Sequence, residues 1–212
     1  LDENGRQYVR DRYDQNLRYI DDQLERFLST LPEDATVMIV SDHGEEFWDH
    51  DEFEHGHTLY DELLRIPMVI RGPGVTAGRF QEPVSMIDVA PTLAMAAGLD
   101  GESMLGWPLQ SLADGSRRAE FMARPQAFGR PLYGLRQWGS LVGDRKYTVS
   151  KGKETLYDIA ADPFETENLF KRDYAPSPMI DAMATALDRP MLVGFRIIPP
   201  KSSSKSNLII EV

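Results

Sequence analysis

Thr36-Val37-Met38-Ile39-Val40-Ser41-Asp42-His43-Gly44 is the stretch on which the fold of this sequence turns. Its first five residues show no alternation of polar and apolar positions, which predicts a strand buried on both faces, as in a parallel sheet covered by helices. In open α/β sheets, ligands and catalytic groups gather outside the carboxyl ends of strands. Ser41, Asp42, His43 and Gly44 therefore stand where a site is expected.

Upstream, Tyr13, Leu17, Ile20, Leu24, Phe27 and Leu31 recur at three- and four-residue intervals, the spacing of one apolar helical face, and Pro32 ends that helix. Downstream, a polar loop runs to about Thr58, followed by a short helix over 59–65 and a second buried strand, Met68-Val69-Ile70, closed by Gly72-Pro73-Gly74. Asp88 is placed to cap a further helix with Pro91 in its first turn, ending at Gly98. Strand, helix, strand, helix is an α/β pattern. From about residue 107 the texture changes to Gly, Pro and scattered Arg. Segments 133–142 and 146–150 around Gly143-Asp144 predict an antiparallel hairpin. Leu156-Tyr157-Asp158 and the Asp162-Pro163 turn lead to a terminal helix near 179–187, and apolar runs at 192–198 and 208–210 flank a low-complexity linker, 199–207. The expected organisation is an α/β unit over 1–106, a smaller α+β subdomain over 107–190, and a tail or the start of an extension over 191–212.

A length of 212 residues with 42% hydrophobic content is enough for a real core. The absence of cysteine removes disulfides, zinc-thiolate sites and a cysteine nucleophile from these residues. Residues 1–106 hold 8 basic and 22 acidic side chains, a balance of −14, and 107–212 hold 15 and 12, a balance of +3. So acidic a first half disfavours nucleic acid as a partner and can serve cations instead. No stretch has the apolar length of a membrane span. The chain starts at Leu1 without a leader pattern, and the compartment stays open, periplasmic or extracellular locations included.

All four histidines, His43, His50, His55 and His57, fall in one fifteen-residue window with Asp42, Glu45, Glu46, Asp49, Asp51, Glu52 and Glu54 on or beside it. Imidazole and carboxylate are the side chains that bind divalent cations without sulfur, so this cluster at the end of a buried strand is a candidate metal site. The competing account is a solvated acidic loop.

At these residues the sequence resembles the sulfatase family. Ser41-Asp42-His43-Gly44-Glu45, then 54–67 from Glu54-His55-Gly56-His57 to Arg65-Ile66-Pro67, and the Arg71-Gly72-Pro73-Gly74 turn carry the likeness. Asp88-Val89-Ala90-Pro91-Thr92-Leu93, Leu156-Tyr157-Asp158, Asp162-Pro163-Phe164-Glu165 and Asn168-Leu169 extend it, in order, over about residues 8–170. The resemblance implies a metal-dependent hydrolase of sulfate esters on an alkaline-phosphatase-like fold: a mixed sheet flanked by helices, present here in part, with a smaller C-terminal antiparallel sheet and helix. It implies one divalent cation, calcium first, with magnesium, manganese or zinc as alternatives, held in part by Asp42 and His43. It implies a formylglycine nucleophile made from Cys or Ser in a Cys/Ser-x-Pro-x-Arg motif, and an earlier carboxylate pair. Neither occurs in these residues, so both are expected in a missing N-terminal half. His57 or His55 is the expected general acid; the family often has a lysine in this stretch, where Gly56 and His57 stand. The implied substrate is a sulfated small molecule or glycan.

Other residues read more plainly. His50 is expected in the loop or behind the ligands, Arg65 against the acidic loop, Tyr60, Leu63 and Leu64 in the core. Arg117, Arg118, Arg124, Arg130 and Arg136 read as a solvated basic face, with a polyanionic substrate as the alternative. Two other functions fit the residues: a phosphonate or phosphodiester hydrolase or phosphoethanolamine transferase of the same superfamily, and a non-catalytic metal- or glycan-binding module.

Overall fold

The computed structural model describes residues 1–101, 103–130, 137–150, 152–171 and 177–186. The expected tail runs, their linker and residues 133–136 lie outside these. Helix α1 (Glu3–Leu28) opens with Asp2 as its cap, the carboxylate accepting from the Gly5 amide at 2.8 Å. It starts ten residues before the apolar stripe and stops short of Pro32. The stripe does not face a core: no residue of α1 is buried, and Leu17, Ile20 and Phe27 are exposed. The first half of α1 is anchored. Tyr13 meets the Phe47 ring edge-on at 4.9 Å, Arg6 and Arg10 lie over Trp48, and Arg10 donates to the Phe47 carbonyl at 3.0 Å.

Strand β1 (Val37–Val40) is followed by a two-residue ladder, β2 (Glu46–Phe47) with β3 (Phe53–Glu54), then by the one-turn helix α2 (Asp61–Leu64) and β4 (Met68–Arg71). β1 and β4 pair antiparallel, Ile39 opposite Val69. This corrects the expectation of parallel, doubly buried strands. The connection between them, residues 41–67, folds as a short ladder and a single helical turn and holds no long crossover helix of the kind that joins parallel strands. Ile39 and Val69 are both exposed, so one face of the pair is apolar and open.

A 3-10 turn (Met86–Asp88) leads into α3 (Val89–Ala96), then α4 (Gln110–Ala113) and α5 (Arg118–Ala123). Asp88 does not cap α3 through its side chain. Its fully buried carboxylate accepts instead from the Ser85 amide at 2.8 Å, from the Trp107 amide at 2.9 Å, and from both terminal nitrogens of Arg124 at 2.7 and 2.6 Å. Arg124 stacks on Trp107 and is nearly buried. It is therefore a core residue and not part of a solvated basic face. Arg118 pairs with Glu82, and Arg117 lies over Trp107. The side chain of Arg130 and all of Arg136 lie outside the described residues.

The remaining sheet is antiparallel in sequence order: β5 (Gln126–Arg130), β6 (Gln137–Val142), β7 (Arg145–Ser150) and β8 (Lys153–Asp158). The expected hairpin forms with Val142 opposite Arg145, and Gly143 takes the left-handed φ of 59° that the tight turn needs. Helix α6 (Ser177–Ala186) covers the sheet, and Met179, Ile180 and Met183 pack with Tyr147 and Leu156 into the main apolar cluster.

One buried cation joins the two parts. Lys146 of β7, 1% exposed at its side chain, reaches Asp61 at 2.7 Å and Glu165 at 2.8 Å, while Glu165 also accepts from the Asp61 amide at 2.7 Å. Burial raises the pKa of Glu165, with the Lys146 ammonium opposing it. Replacing Lys146 by Ala leaves a buried carboxylate uncompensated. Urea unfolding of K146A is expected to show a loss of about 3 to 5 kcal/mol, and a loss near that of an ordinary surface substitution overturns this reading. The open faces of α1 and of β1–β4 predict that this chain self-associates in solution. Light scattering on a Leu17→Glu, Ile20→Glu variant should show less association with stability changed by no more than about 0.5 kcal/mol per site; a monodisperse wild-type monomer would contradict it.

Candidate active site

The site begins where β1 ends. The Ser41 amide donates to the Pro67 carbonyl at 3.3 Å, closing the β1–β4 ladder, and the chain then turns across α2. Gly44 makes that approach possible: its amide donates to the Leu63 carbonyl at 2.9 Å, and a Cβ on it would sit 1.9 Å from the Glu62 carbonyl oxygen. Asp42 and His43 are thereby left at the mouth. The His43 Nδ1 lies 2.7 Å from the Gly44 carbonyl oxygen. A carbonyl only accepts, so Nδ1 carries a hydrogen, and in the neutral ring Nε2 is the nitrogen left for a ligand. Nε2 lies 3.8 Å from Asp42 Oδ1, and the Asp42 side chain is 87% exposed. An anionic oxygen and a neutral nitrogen converging on open space suit a divalent cation, with the backbone hydrogen bond fixing the ring as it does for metal-bound histidines.

The β2–β3 hairpin then folds the chain back, setting Glu46 opposite Glu54. Its backbone is unusual: Trp48, Asp51 and Glu54 adopt φ of 66°, 67° and 71° without being glycine. Such conformations cost about 1 to 3 kcal/mol each and persist where surrounding contacts hold them. The contacts here are the Asp49 carboxylate on the Phe47 amide, the Trp48 amide on the Glu52 carbonyl, and the Trp48 ring stacked on Phe53 at 4.7 Å.

The hairpin pairs carboxylates with imidazoles. Glu45 lies 3.1 Å from His55 Nδ1, Glu46 lies 3.2 Å from His57 Nε2, and Glu62 of α2 lies 2.6 Å from His50 Nδ1. The structure brings Asp42, His43 and His55 together, since the His43 and His55 rings stack at 4.0 Å. His57 sits deeper, on Glu46, with its carbonyl held by Gln137 of β6 at 2.7 Å. His50 stacks flat on Tyr60 at 3.5 Å. Among the described residues, Glu46, His50 and Glu62 also present ligand atoms within 4.8 Å of one another. At 2.6 Å, however, the His50 ring and the Glu62 carboxylate already hydrogen-bond to one another. Sequence reasoning counted Glu45 and Glu46 only as members of an acidic window and missed Glu62 and Tyr60 as partners. Nothing in the spacing distinguishes a carboxylate that holds a ring from one that faces water. Arg65 is exposed and does not hold the loop against the sheet.

A model of the sulfatase family matches residues 2–99. Choline-sulfatase of Rhizobium meliloti is 29% identical, the match covering 77% of this chain and 33% of that protein, and an arylsulfatase of Volvox carteri is 30% identical over 82% and 33% respectively. The solved structure of a 2-O GAG sulfatase superposes with a TM-score of 0.56 at 25% identity, covering 72% of this chain and 35% of that one. The chain spans about one third of the length of the curated relatives it matches. Its fold is part of that of the alkaline-phosphatase-like α/β proteins.

Burial pulls the pKa of His50 down, but the hydrogen bond and charge of Glu62, helped by Glu165, outweigh it, and the net displacement is upward from 6.5. A raised folded value means that the His50–Glu62 pair stabilises fully below the ordinary histidine value and is lost as pH rises through the folded one. The melting-temperature gap between wild type and E62Q is therefore expected to be widest at about pH 5.5 to 6.5 and to shrink at higher pH. A gap that stays constant from about pH 6 to about pH 9 contradicts the assignment.

Proposed function

We propose, on the premise that residues 2–99 belong to the sulfatase family, that the protein hydrolyses sulfate esters and that Asp42 and His43 are ligands of its divalent cation. The observation that carries this is the His43 ring held at Nδ1 by the Gly44 carbonyl, which leaves Nε2 beside the Asp42 carboxylate at the open end of β1. The family is metal-dependent, and calcium is the ion we assign from the resemblance to it, although one carboxylate and one imidazole also suit magnesium, manganese or zinc. A cation there supplies positive charge against the sulfuryl oxygens, whose negative charge otherwise repels an attacking group.

The chain's own residues do the rest. Asp42 contributes charge and His43 a neutral nitrogen. Departure of an alkoxide or phenolate is costly without a proton, and an imidazole at the ester oxygen lowers that cost. His57 and His55 are the candidates for this role, each steered by its carboxylate. The nucleophile, a formylglycine on this reading, and the partner carboxylates come from an N-terminal half of the same protein. The substrate is a sulfated small molecule or glycan. Residues 1–106 form part of the catalytic unit and 107–190 a smaller subdomain supporting it.

Turnover of an aryl sulfate by the full-length protein, with and without chelator, tests the proposal. Activity is expected to be lost on chelation and restored by calcium, and Asp42→Asn is expected to lower kcat/KM by at least about a hundredfold. Activity on phosphate diesters with none on sulfate esters would move the protein to a different chemistry of the same superfamily. No turnover of either would favour a binding module.

A further inference from the structure

The side chain of Glu46 is fully buried, and two backbone amides, a hydroxyl and an imidazole hydrogen-bond to it. Oε1 accepts from the amides of His50 at 3.1 Å and Glu52 at 3.0 Å, while Oε2 accepts from the Thr58 hydroxyl at 3.3 Å and lies 3.2 Å from His57 Nε2. Two backbone amides on one oxygen stop the carboxylate from rotating, so the direction of the other is set by the hairpin itself. We propose that Glu46 is a positioning residue for His57: it holds Nε2–H and so makes Nδ1 the nitrogen that delivers a proton to the departing ester oxygen. The inference rests on the sulfatase reading of the site and adds to it a choice between the two candidate histidines.

The choice follows from burial and tautomer. A carboxylate only accepts, so His57 must keep its hydrogen on Nε2; the other tautomer would set two lone pairs against each other. His57 is 27% exposed at its side chain, tied at its ring by Glu46 and at its carbonyl by Gln137. His55 is 49% exposed, and its partner Glu45 holds the opposite nitrogen, Nδ1. A residue held at its ring by a buried anion and at its backbone by Gln137 is better oriented for proton delivery than one stacked on the histidine assigned to the cation. In the step itself His57 carries hydrogens on both nitrogens. The bond from sulfur to the ester oxygen breaks as one forms to the attacking oxygen; the Nδ1 proton passes to the leaving oxygen, an alcohol or phenol departs, and the ring is left neutral with its remaining hydrogen on Glu46.

Steady-state rates of the full-length protein on para-nitrophenyl sulfate and on phenyl sulfate separate this from a purely structural role. Proton delivery matters little for the acidic nitrophenol and much for phenol. His57→Ala is expected to lower kcat/KM on phenyl sulfate by about a hundredfold or more relative to the nitrophenyl ester. Glu46→Gln turns an amide NH2 toward His57 and favours the wrong tautomer, so it should show the same selective loss, about ten- to a hundredfold, with little further loss in the double variant. Equal losses of E46Q on both esters, or losses that multiply with those of H57A, overturn the inference while leaving the sulfatase reading standing. An H57A enzyme with no leaving-group selectivity overturns it too, by removing His57 from proton delivery. Nitrogen NMR of the unsubstituted protein needs no variant to fold: hydrogen on Nε2 with Nδ1 bare at neutral ring charge is expected, and hydrogen on Nδ1 alone sinks the proposal. Absence of any sulfate-ester turnover is the failure of the underlying reading, and the reactive role falls with it.

Discussion

The geometry of the site depends on a single buried ammonium. Lys146 can stay inside only because Asp61 and Glu165 both reach it, and those contacts fix α2 against β7. Helix α2 and the residue before it carry the parts that face the histidine loop: Tyr60 stacks on His50, Glu62 binds its ring, and Leu63 receives the Gly44 amide. Gln137, from the strand next to β7, holds the His57 carbonyl. The histidines all lie between positions 43 and 57, yet their placement is set by a sheet that begins some seventy residues later.

The same device recurs. Asp88 with Arg124 ties α3 to α5, and Glu46 gathers two amides, a hydroxyl and an imidazole around one carboxylate. Buried ion pairs add little net stability over well-packed apolar groups, but breaking one is costly, and their geometry admits few alternatives. In a chain whose main apolar cluster centres on five buried residues, these polar hubs give each loop one place to sit. The carboxylate–imidazole pairs are the chemical product of that arrangement.

Much of this was legible in the sequence. The strand before Asp42, the short helix and second strand after the loop, the Gly143-Asp144 hairpin and the terminal helix all follow from local pattern, and local pattern is what fixes elements of that length. The clustering of four histidines marked the loop. Pairing direction was not legible, because the composition of β1 and β4 says that they are strands and nothing about which way they run. The stripe on α1 announced an amphipathic helix, but exposure of Leu17, Ile20 and Phe27 depends on what lies against it. Arg124 read as part of a solvated basic face, and nothing in the pattern marked Lys146 for burial, since Asp88 and Asp61 lie 36 and 85 positions from them and no periodicity spans such gaps.

Gly44 carries a consequence for anyone who would borrow this motif. With the Glu62 carbonyl 1.9 Å from where its side chain would begin, the four letters Ser-Asp-His-Gly are half of an object whose other half is a helical turn eighteen residues downstream. Transplanting the tetrapeptide into a foreign scaffold would move the ligating side chains without the surface that aims them. A graft has to bring both segments, and the spacing between them can vary only as far as that one close backbone crossing allows.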